Sequence, residues 1–358
     1  MKVFDCHVHS SMPQSVEKSV KVFEQIFDML SVEKCSFMSI PQHDKENIDY
    51  KQNIKDLFFK NYFSPNGYAF AGLEYKRELD DKERANDHLK QAEEYIGAGF
   101  DGMKMLEGKP SVRREFNRRL ADPVFDKFFA FMEENGLPVT LHNADPYEFW
   151  DISKMTPEAI ARGWANGPDD LTKEEMTEDV FEVLKKHPKL HLTLAHFGFF
   201  GNDHAAAVRF FGDYEYTRLD TTPAGEEYFH MLADWDKWRK FIEEHADRIK
   251  YGTDTYNFIQ TTSLEAWERS VSARPNLVRN FFATDGEHEY YGEKYKGVKF
   301  SEEIVEKIFW KNAEKEYGTP KKIDGAWVEK KLAALEQRYA NDQAALQDVL
   351  FMKENFKL

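Results

Sequence analysis

Short apolar segments recur along the chain at a near-constant spacing, and helical apolar patterns fill the intervals between them. The first five segments begin near residues 3, 35, 68, 100 and 137, a spacing of roughly 30–37 residues. This spacing is typical of one strand followed by one helix. Three further strand-like segments follow at 190–197, 214–221 and 249–254. Eight strands that alternate with helices predict an α/β fold of the (β/α)8 TIM-barrel type, in which catalytic groups lie at the carboxyl ends of the strands.

An open, doubly wound parallel sheet is the alternative fold for the same alternation. That fold carries a glycine-rich phosphate-binding turn after its first strand, and no such turn follows the segment 3–10. We therefore expect a catalytic barrel over residues 1–320. Residues 321–358 are expected to form a C-terminal helical extension, because apolar residues from Val328 to Val349 keep a nearly heptad spacing that breaks at Asp342. The extension is expected to pack on the barrel, and a contact with a second subunit of a homo-oligomer is the alternative.

The charge and the hydropathy of the chain exclude two classes of partner. The formal net charge at pH 7 is −15, whereas nucleic-acid binding draws on lysine and arginine side chains that neutralise phosphates. No segment approaches the ~20 apolar residues of a membrane-spanning helix. The N-terminus lacks the apolar run of a signal peptide. The chain has two cysteines, Cys6 and Cys35, which are too few for disulfide bonds to stabilise a domain of this size. We therefore expect a cytoplasmic protein that acts on a small molecule.

Histidine and aspartate residues end several of the predicted strands. His7 and His9 stand two residues apart at the end of the first strand, so their imidazoles share one face. His142 ends the fifth strand, His196 the sixth and Asp254 the eighth. Because the carboxyl ends of barrel strands open at the same mouth, these five side chains are expected to converge. Imidazole and carboxylate groups are ligands for Zn²⁺, Mn²⁺ or Fe²⁺, so the sequence predicts a metal site.

The segments around these residues resemble the amidohydrolase superfamily, and within it the amidohydrolase-2 group of metal-dependent TIM-barrel enzymes. The matching segments are DCHVHSSMP, LHNAD, LAHFG, YGTDTYN and the helix SEEIVEKIFWKNAEKEYG, and the resemblance runs from residue 3 to about residue 318. It implies an enzyme that holds one divalent ion, which we expect to be zinc, with manganese or iron as alternatives. The resemblance implies that the metal ligands are His7, His9, His142 and Asp254, and that His196 is catalytic.

Lys104 lies in the predicted fourth strand, in the segment GMKML. Some members of the superfamily carry a carboxylated lysine at this place, where it bridges two metal ions. Members of the amidohydrolase-2 group more often hold one ion. Lys104 is therefore interpreted as a substrate-binding or structural lysine.

The resemblance leaves two reactions open. In a hydrolase of a C–N or C–O bond, the metal lowers the pKa of its water from 15.7 toward ~7. Asp254 would then take and deliver a proton, and His196 would stabilise the oxyanion. The alternative is a non-oxidative decarboxylase or hydratase of a small carboxylic acid, a reaction that the amidohydrolase-2 group also includes. A catalytically silent binding barrel and an iron oxygenase are further alternatives, since two histidines and one carboxylate also suit Fe²⁺.

Substrate-binding residues are expected in the loops that follow the strands. Asn143 and Trp150 lie after the fifth strand, and Glu227 lies after the seventh. Arg113 follows the fourth strand and could donate two parallel hydrogen bonds to a substrate carboxylate. The alternative is that Arg113 is exposed to solvent at the start of a helix. His43, after the second strand, is a further candidate for the mouth of the barrel. The sequence does not identify the substrate.

Overall fold

Strands and helices alternate along the chain, as the apolar periodicity predicts. The computed structural model of the protein describes residues 1–42, 49–76, 78–224, 226–257 and 263–357. The strands are β1 (Val3–His9), β2 (Val32–Met38), β3 (Gly67–Gly72), β4 (Gly102–Gly108), β5 (Val139–Asn143), β6 (Leu192–Leu194), β7 (Thr217–Asp220), β8 (Ile249–Lys250), β9 (Thr255–Tyr256), β10 (Glu287–Tyr290) and β11 (Glu293–Lys296).

The helices fill the intervals between these strands and the C-terminal region. They are α1 (Val16–Leu30), α2 (Gln52–Tyr62), α3 (Asp81–Ala98), α4 (Pro110–Phe116), α5 (Asp126–Glu134), α6 (Pro157–Ala161), α7 (Lys173–Lys186), α8 (His204–Asp213), α9 (Glu226–Ala233), α10 (Trp235–Glu244), α11 (Leu264–Ala283), α12 (Glu302–Glu306), α13 (Asn312–Tyr317), α14 (Gly325–Arg338) and α15 (Gln343–Asn355). Short 3₁₀ turns occur at Pro123–Phe125, Tyr147–Trp150, Ile152–Lys154, His196–Phe199 and Ala246–Arg248, and a π-helical turn at Lys307–Lys311 joins α12 to α13.

The chain divides into two compact units. The first contains residues 1–72, 93–104 and 250–358, and the second contains residues 73–92 and 105–249. In the first unit the strand order is β4-β3-β2-β1-β9, and the neighbouring strands pair in parallel. In the second unit β5, β6 and β7 pair in parallel in that order. Parallel pairing with intervening helices is the arrangement that strand–helix repeats produce.

Strand β1 separates an apolar face from a polar face. Phe4 and Cys6 are buried in an apolar cluster, whose other members include Met38, Tyr68 and Tyr317. The alternate residues of the strand carry the polar side chains of Asp5, His7 and His9, because successive side chains point to opposite faces. This alternation gives the two histidines a common side.

Two predicted strands end earlier than the apolar pattern indicates. Strand β6 ends at Leu194, and His196 lies two residues beyond it in a 3₁₀ turn. Strand β8 ends at Lys250, and Asp254 lies between β8 and β9 with a positive φ of 54°. Ala195, Phe197 and Phe199 continue the apolar composition beyond Leu194, so the sequence pattern does not reveal where the backbone leaves β6.

The tyrosine-rich segment after α11 forms the antiparallel hairpin of β10 and β11. Its two-residue turn is Tyr291–Gly292, and both residues have positive φ angles of 48° and 90°. Such a turn matches the twist of paired strands, and Gly292 adopts it without strain. The turn lacks the Asn-Gly or Asp-Gly signal that marks a hairpin in a sequence.

The C-terminal extension is formed by helices α14 and α15, which lie in the first unit and contact α2, while α15 also contacts α1. Asp348 of α15 accepts a hydrogen bond from the backbone N–H of Val16 at 2.8 Å, and so supplies an acceptor to the first turn of α1. The same carboxylate lies 3.2 Å from Lys51 Nζ. The domain boundary at residue 320 stays a prediction. Within the described part of the chain, no helix has the length and apolar character needed to cross a membrane.

Candidate active site

Three of the four predicted metal ligands come together in the first unit. His7 Nε2 lies 3.1 Å from His9 Nε2, and His9 Nε2 lies 3.2 Å from Asp254 Oδ1. The distance from His7 Nε2 to Asp254 Oδ1 is 4.0 Å. All three side chains are buried. One donor atom from each residue therefore lies within 4.8 Å of the others.

Backbone hydrogen bonds hold the two segments that carry these donors in register. The N–H of Asp254 donates to the carbonyl of His7 at 3.0 Å, and the N–H of Asn257 donates to the carbonyl of His9 at 3.2 Å. Strand β1 also pairs in parallel with β9, with Val8 opposite Thr255. The relative position of the histidines and the aspartate is therefore set by main-chain pairing.

The second polar atom of His9 and that of Asp254 each contact another group of the protein. His9 Nδ1 lies 2.6 Å from the carbonyl of Met38, an acceptor that places the ring proton on Nδ1 and leaves a lone pair on Nε2. Asp254 Oδ2 accepts a hydrogen bond from Arg274 Nη1 at 2.5 Å, which leaves Oδ1 facing the histidines. Contacts of this kind orient metal ligands in proteins. No sequence pattern singles out Arg274, which lies twenty residues after Asp254 in helix α11.

Asp5 connects the two ligand-bearing segments. Its Oδ1 accepts hydrogen bonds from the N–H groups of His7 and Thr253 at 3.1 and 3.2 Å. Its Oδ2 accepts from the hydroxyl of Thr253 at 2.5 Å, and that hydroxyl also lies 2.7 Å from Thr255 Oγ1. Asp5 is almost fully buried. A carboxylate that accepts three hydrogen bonds across two segments restrains both of them.

Lys104 lies against the same group. Its Nζ is 3.1 Å from His7 Nε2, and its side chain is buried. An ammonium donates to an imidazole lone pair at this distance, so Lys104 must withdraw from Nε2 before that nitrogen can bind an ion. The donor set of His7, His9 and Asp254, two imidazole nitrogens and one carboxylate oxygen, fits a divalent ion of the zinc, manganese or iron type.

The fourth predicted ligand, His142, lies in the second unit beside His196. His142 Nδ1 is 3.2 Å from His196 Nε2. His142 Nε2 faces the carbonyl of Ala144 at 3.0 Å, and His196 Nδ1 faces the carbonyl of Thr222 at 3.3 Å. Carbonyl acceptors place a proton on each of those outer nitrogens. The two inner nitrogens therefore face each other, and their lone pairs repel unless a shared proton or a cation lies between them.

Asp145 supplies negative charge next to this pair. Its Oδ1 lies 3.5 Å from His142 Nε2 and 2.5 Å from Lys109 Nζ. Burial raises the pKa of the Asp145 carboxyl, but Lys109 and His142 outweigh that effect and hold the pKa below its usual value. Asp145 is therefore ionised at neutral pH and favours a positive charge on His142.

The backbone at His196 is held in an uncommon conformation. His196 has a φ of 56°, and its N–H donates to Asp220 Oδ1 at 3.0 Å and to Thr222 Oγ1 at 2.9 Å. Asp220 is fully buried at the end of β7. Left-handed backbone at a residue other than glycine is costly and persists where the surroundings fix it, often at functional sites. Asp220 was not among the residues singled out in the sequence.

Other residues predicted to bind substrate have protein partners in the second unit. Arg113 Nη2 donates to Asp179 Oδ2 at 2.6 Å. Trp150 Nε1 donates to the carbonyl of Leu171 at 3.1 Å, and its ring packs on a buried apolar cluster. Asn143 is fully buried, and its amide makes no hydrogen bond to another described residue. The roles of Arg113, Trp150 and Asn143 in substrate binding stay predictions, and His43 lies outside the described residues.

Glu227, also predicted to bind substrate, belongs to a buried ionic group. Its Oε2 accepts from the N–H of Gly201 at 2.6 Å, and its Oε1 lies 3.8 Å from His230 Nδ1. The other ring nitrogen of His230, Nε2, lies 2.8 Å from Glu148 Oε1. The hydrogen bond to Glu148 and the nearby carboxylate of Glu227 raise the pKa of His230 to about 9. His230 is therefore a cation at neutral pH between two carboxylates.

Comparison with known proteins assigns the family. A model of the amidohydrolase family, in its second group, matches residues 79–319. The chain belongs to this family. The match covers the segments around His142, His196 and Asp254. No curated protein matches the chain.

Solved structures with similar folds support the predicted architecture. A 4-oxalomesaconate hydratase from Rhodopseudomonas palustris has a TM-score of 0.52 at 13% identity, with 95% of this chain and 99% of that chain covered. An uncharacterized TIM-barrel protein from Bordetella bronchiseptica has a TM-score of 0.50 at 15% identity, with 89% and 100% covered. The IDCase of Metarhizium anisopliae has a TM-score of 0.50 at 14% identity, with 88% and 97% covered. These likenesses confirm the TIM-barrel fold, and the family match confirms the resemblance to amidohydrolases.

Proposed function

We propose that this amidohydrolase is a metal-dependent hydrolase of a C–N or C–O bond in a small molecule. The observation that carries the proposal is the convergence of His7 Nε2, His9 Nε2 and Asp254 Oδ1 in the first unit. Three protein donors with further positions left for water and substrate are typical of catalytic metal sites. His9 Nδ1 contacts the carbonyl of Met38, and Asp254 Oδ2 accepts a hydrogen bond from Arg274. These contacts orient the donor atoms before any ion binds.

We propose one divalent ion at these donors, with zinc favoured and manganese or iron as alternatives. Such an ion would act as a Lewis acid and would lower the pKa of a bound water toward ~7. Asp254 accepts a proton at its carboxylate and passes it to the leaving group. The predicted role of His196 is to stabilise negative charge on the substrate, and its Nε2 lies 3.2 Å from His142 Nδ1 in the second unit. The further role of His142 as a metal ligand stays a prediction.

A decarboxylase or hydratase of a small carboxylic acid is the second candidate. It is favoured by the charges of the same group, because Lys104 contacts His7 and Arg274 contacts Asp254, so that two cations lie beside the donors. An excess of positive charge binds an anionic substrate more tightly than a neutral one. A carboxylic acid is anionic at neutral pH, whereas most simple lactones and amides are neutral.

Elemental analysis of the purified protein tests the metal site. We expect about one divalent ion per chain in the wild type and loss of most of it in His7→Ala and His9→Ala, because each variant removes one of three donors. His288→Ala is the matched control, since His288 lies in the hairpin and contacts Thr284. Wild-type metal content in both ligand variants, or loss of the ion from the control as well, would refute the site.

A substrate screen separates the two reactions. The metal-loaded protein should be assayed with lactones, amides and carboxylic acids, and again after removal of the ion with a chelator. Metal-dependent cleavage of a lactone or an amide supports the hydrolase. Release of carbon dioxide, or addition of water to a double bond, identifies the second candidate instead. Activity that survives complete removal of the ion refutes both.

A further inference from the structure

The groups around the candidate metal centre carry more positive than negative charge. Asp254 and Asp5 supply two carboxylates to the first unit at this place. Lys104 and Arg274 supply two cations, and a divalent ion would add two further positive charges. The imidazoles of the ligand histidines are neutral when they bind metal. The centre is therefore positive by about two charges in a protein whose net charge is −15.

Arg274 is the accessible cation of this group. Its side chain is 37% exposed, whereas the side chains of His7, His9 and Asp254 are 10% exposed or less. Lys104 is buried. Because an anion from solvent must reach a cation to pair with it, Arg274 is the group that an incoming anion can contact.

Arg274 donates two hydrogen bonds to Asp254 from the same guanidinium nitrogen, Nη1. Nη1 donates to Asp254 Oδ2 at 2.5 Å and to the carbonyl of the same residue at 2.9 Å. Among the described residues, Nε and Nη2 have no hydrogen-bond acceptor, and the group lies 5.9 Å from the ring centre of Tyr256. Nε and Nη2 form one edge of the guanidinium, with two N–H groups that point in the same direction. That edge matches the two oxygens of a carboxylate.

We propose that Arg274 forms a carboxylate-binding subsite beside the metal centre, and that the Nε–Nη2 edge binds a carboxylate of the substrate. The inference rests on the proposed function only in placing the subsite next to the reacting group. Nη1 keeps Asp254 in its left-handed conformation with Oδ1 toward the histidines. The opposite edge then holds the acid group of the substrate at a fixed distance from the ion. One side chain thus couples the orientation of a metal ligand to the recognition of the substrate.

A pair of matched probes tests the subsite without a known substrate. Benzoate and benzamide have nearly the same shape, but only benzoate carries a carboxylate. Binding of each probe is measured by titration calorimetry on the metal-loaded wild type, and the metal content of the same samples is determined. We expect the wild type to prefer benzoate, and Arg274→Gln to weaken benzoate binding by about 10- to 100-fold, the usual effect of losing hydrogen bonds to a charged group.

Two further variants provide the controls. Arg269→Gln removes a positive charge from the same helix, where Arg269 pairs with Glu265 on the surface, and it should bind both probes as the wild type does. If Arg274→Gln loses its ion, Arg274→Lys provides the second measurement, because lysine keeps a positive charge beside Asp254 but cannot present two parallel donors. This variant should retain metal and bind benzoate more weakly.

Two outcomes would overturn the subsite. Equal benzoate affinity in the wild type and in a metal-containing Arg274 variant would mean that the anion binds to the ion or elsewhere. Equal affinity of the wild type for benzoate and benzamide would mean that charge is not recognised. The metal measurement reports separately on the proposed function. A wild type that holds no ion but still binds benzoate through Arg274 would keep the subsite and refute the metal-dependent reaction.

Discussion

Replacing Asp5 with alanine should weaken both the first unit and its metal site. The substitution removes the acceptor of two backbone N–H groups, those of His7 and Thr253, in a buried place. The hydroxyl of Thr253 loses less, because Thr255 Oγ1 lies 2.7 Å away and can accept in place of Asp5. Each buried donor without an acceptor costs about 1–3 kcal/mol, so the free energy of unfolding should fall by about 2–6 kcal/mol.

Asp5→Asn should be much milder, because of how the hydrogen bonds are divided between the two oxygens. Both N–H groups donate to Oδ1, which asparagine retains, and the hydroxyl of Thr253 donates to Oδ2. An asparagine Nδ2 at that place can donate to the Thr253 hydroxyl, which can in turn donate to Thr255. The variant therefore loses the charge of Asp5 but keeps the connection between the segments that carry His7 and Asp254.

Two measurements check the prediction. Urea unfolding in the presence of a chelator gives the stability of the metal-free protein, and competition with a chromophoric chelator gives the affinity for zinc. We expect zinc affinity to fall by about 10- to 100-fold in Asp5→Ala, the range observed when groups behind metal ligands are lost, and by less in Asp5→Asn. Asp101→Ala is the control, because Asp101 is equally buried in the first unit but pairs with Lys60.

The control should lose stability without losing zinc affinity, since Asp101 contacts Lys60 and the N–H groups of Ala69 and Lys321 and none of the ligand residues. Equal zinc affinity in wild type and Asp5→Ala would refute the argument that Asp5 holds the ligand segments together. An Asp5→Asn variant as unstable as Asp5→Ala would show that the charge matters and the hydrogen-bond geometry does not.

Three further predictions concern other parts of the chain. His142→Ala should lose most of the bound ion if His142 is a ligand, which elemental analysis measures against the wild type. His230→Gln should lower the free energy of unfolding below pH 6.5 by up to about 3 kcal/mol, and the deficit should vanish as pH rises through 9, because the stabilising charge of His230 between Glu148 and Glu227 is lost there. Deletion of residues 324–358 should lower stability whether or not the protein is a dimer, because it uncovers the surfaces of α1 and α2 on which α14 and α15 pack. Light scattering of the full chain determines the oligomeric state.

The parts of the fold and site that the sequence predicted depend on short-range patterns. Alternation along β1 placed His7 and His9 on one face, and the strand–helix period gave a barrel whose strand ends bring Asp254 to the same histidines. Both inferences need only the periodicity of a strand and the general geometry of parallel sheets. The convergence of these three donors was therefore predictable without knowledge of any tertiary contact.

The groups that orient the donors were not predictable in the same way. The acceptor for His9 is the carbonyl of Met38, and a main-chain carbonyl leaves no mark on the amino-acid sequence. Arg274 reaches Asp254 from a separate helix, and nothing in the sequence distinguishes it from the other arginines of α11. Polarity alone made Arg113 and Glu227 candidates for substrate binding, but their partners, Asp179 and Gly201, lie far away in sequence.

The hydrogen bond from Val16 to Asp348 bears on how the protein is made. The first turn of α1, directly after the strand that carries His7 and His9, is completed by a side chain that is translated more than 300 residues later. Because synthesis proceeds from the N-terminus, this hydrogen bond cannot form before the segment that carries Asp348 has been made. His7 and His9 lie directly before this turn, so we expect metal loading to follow the synthesis of the segment that carries Asp348.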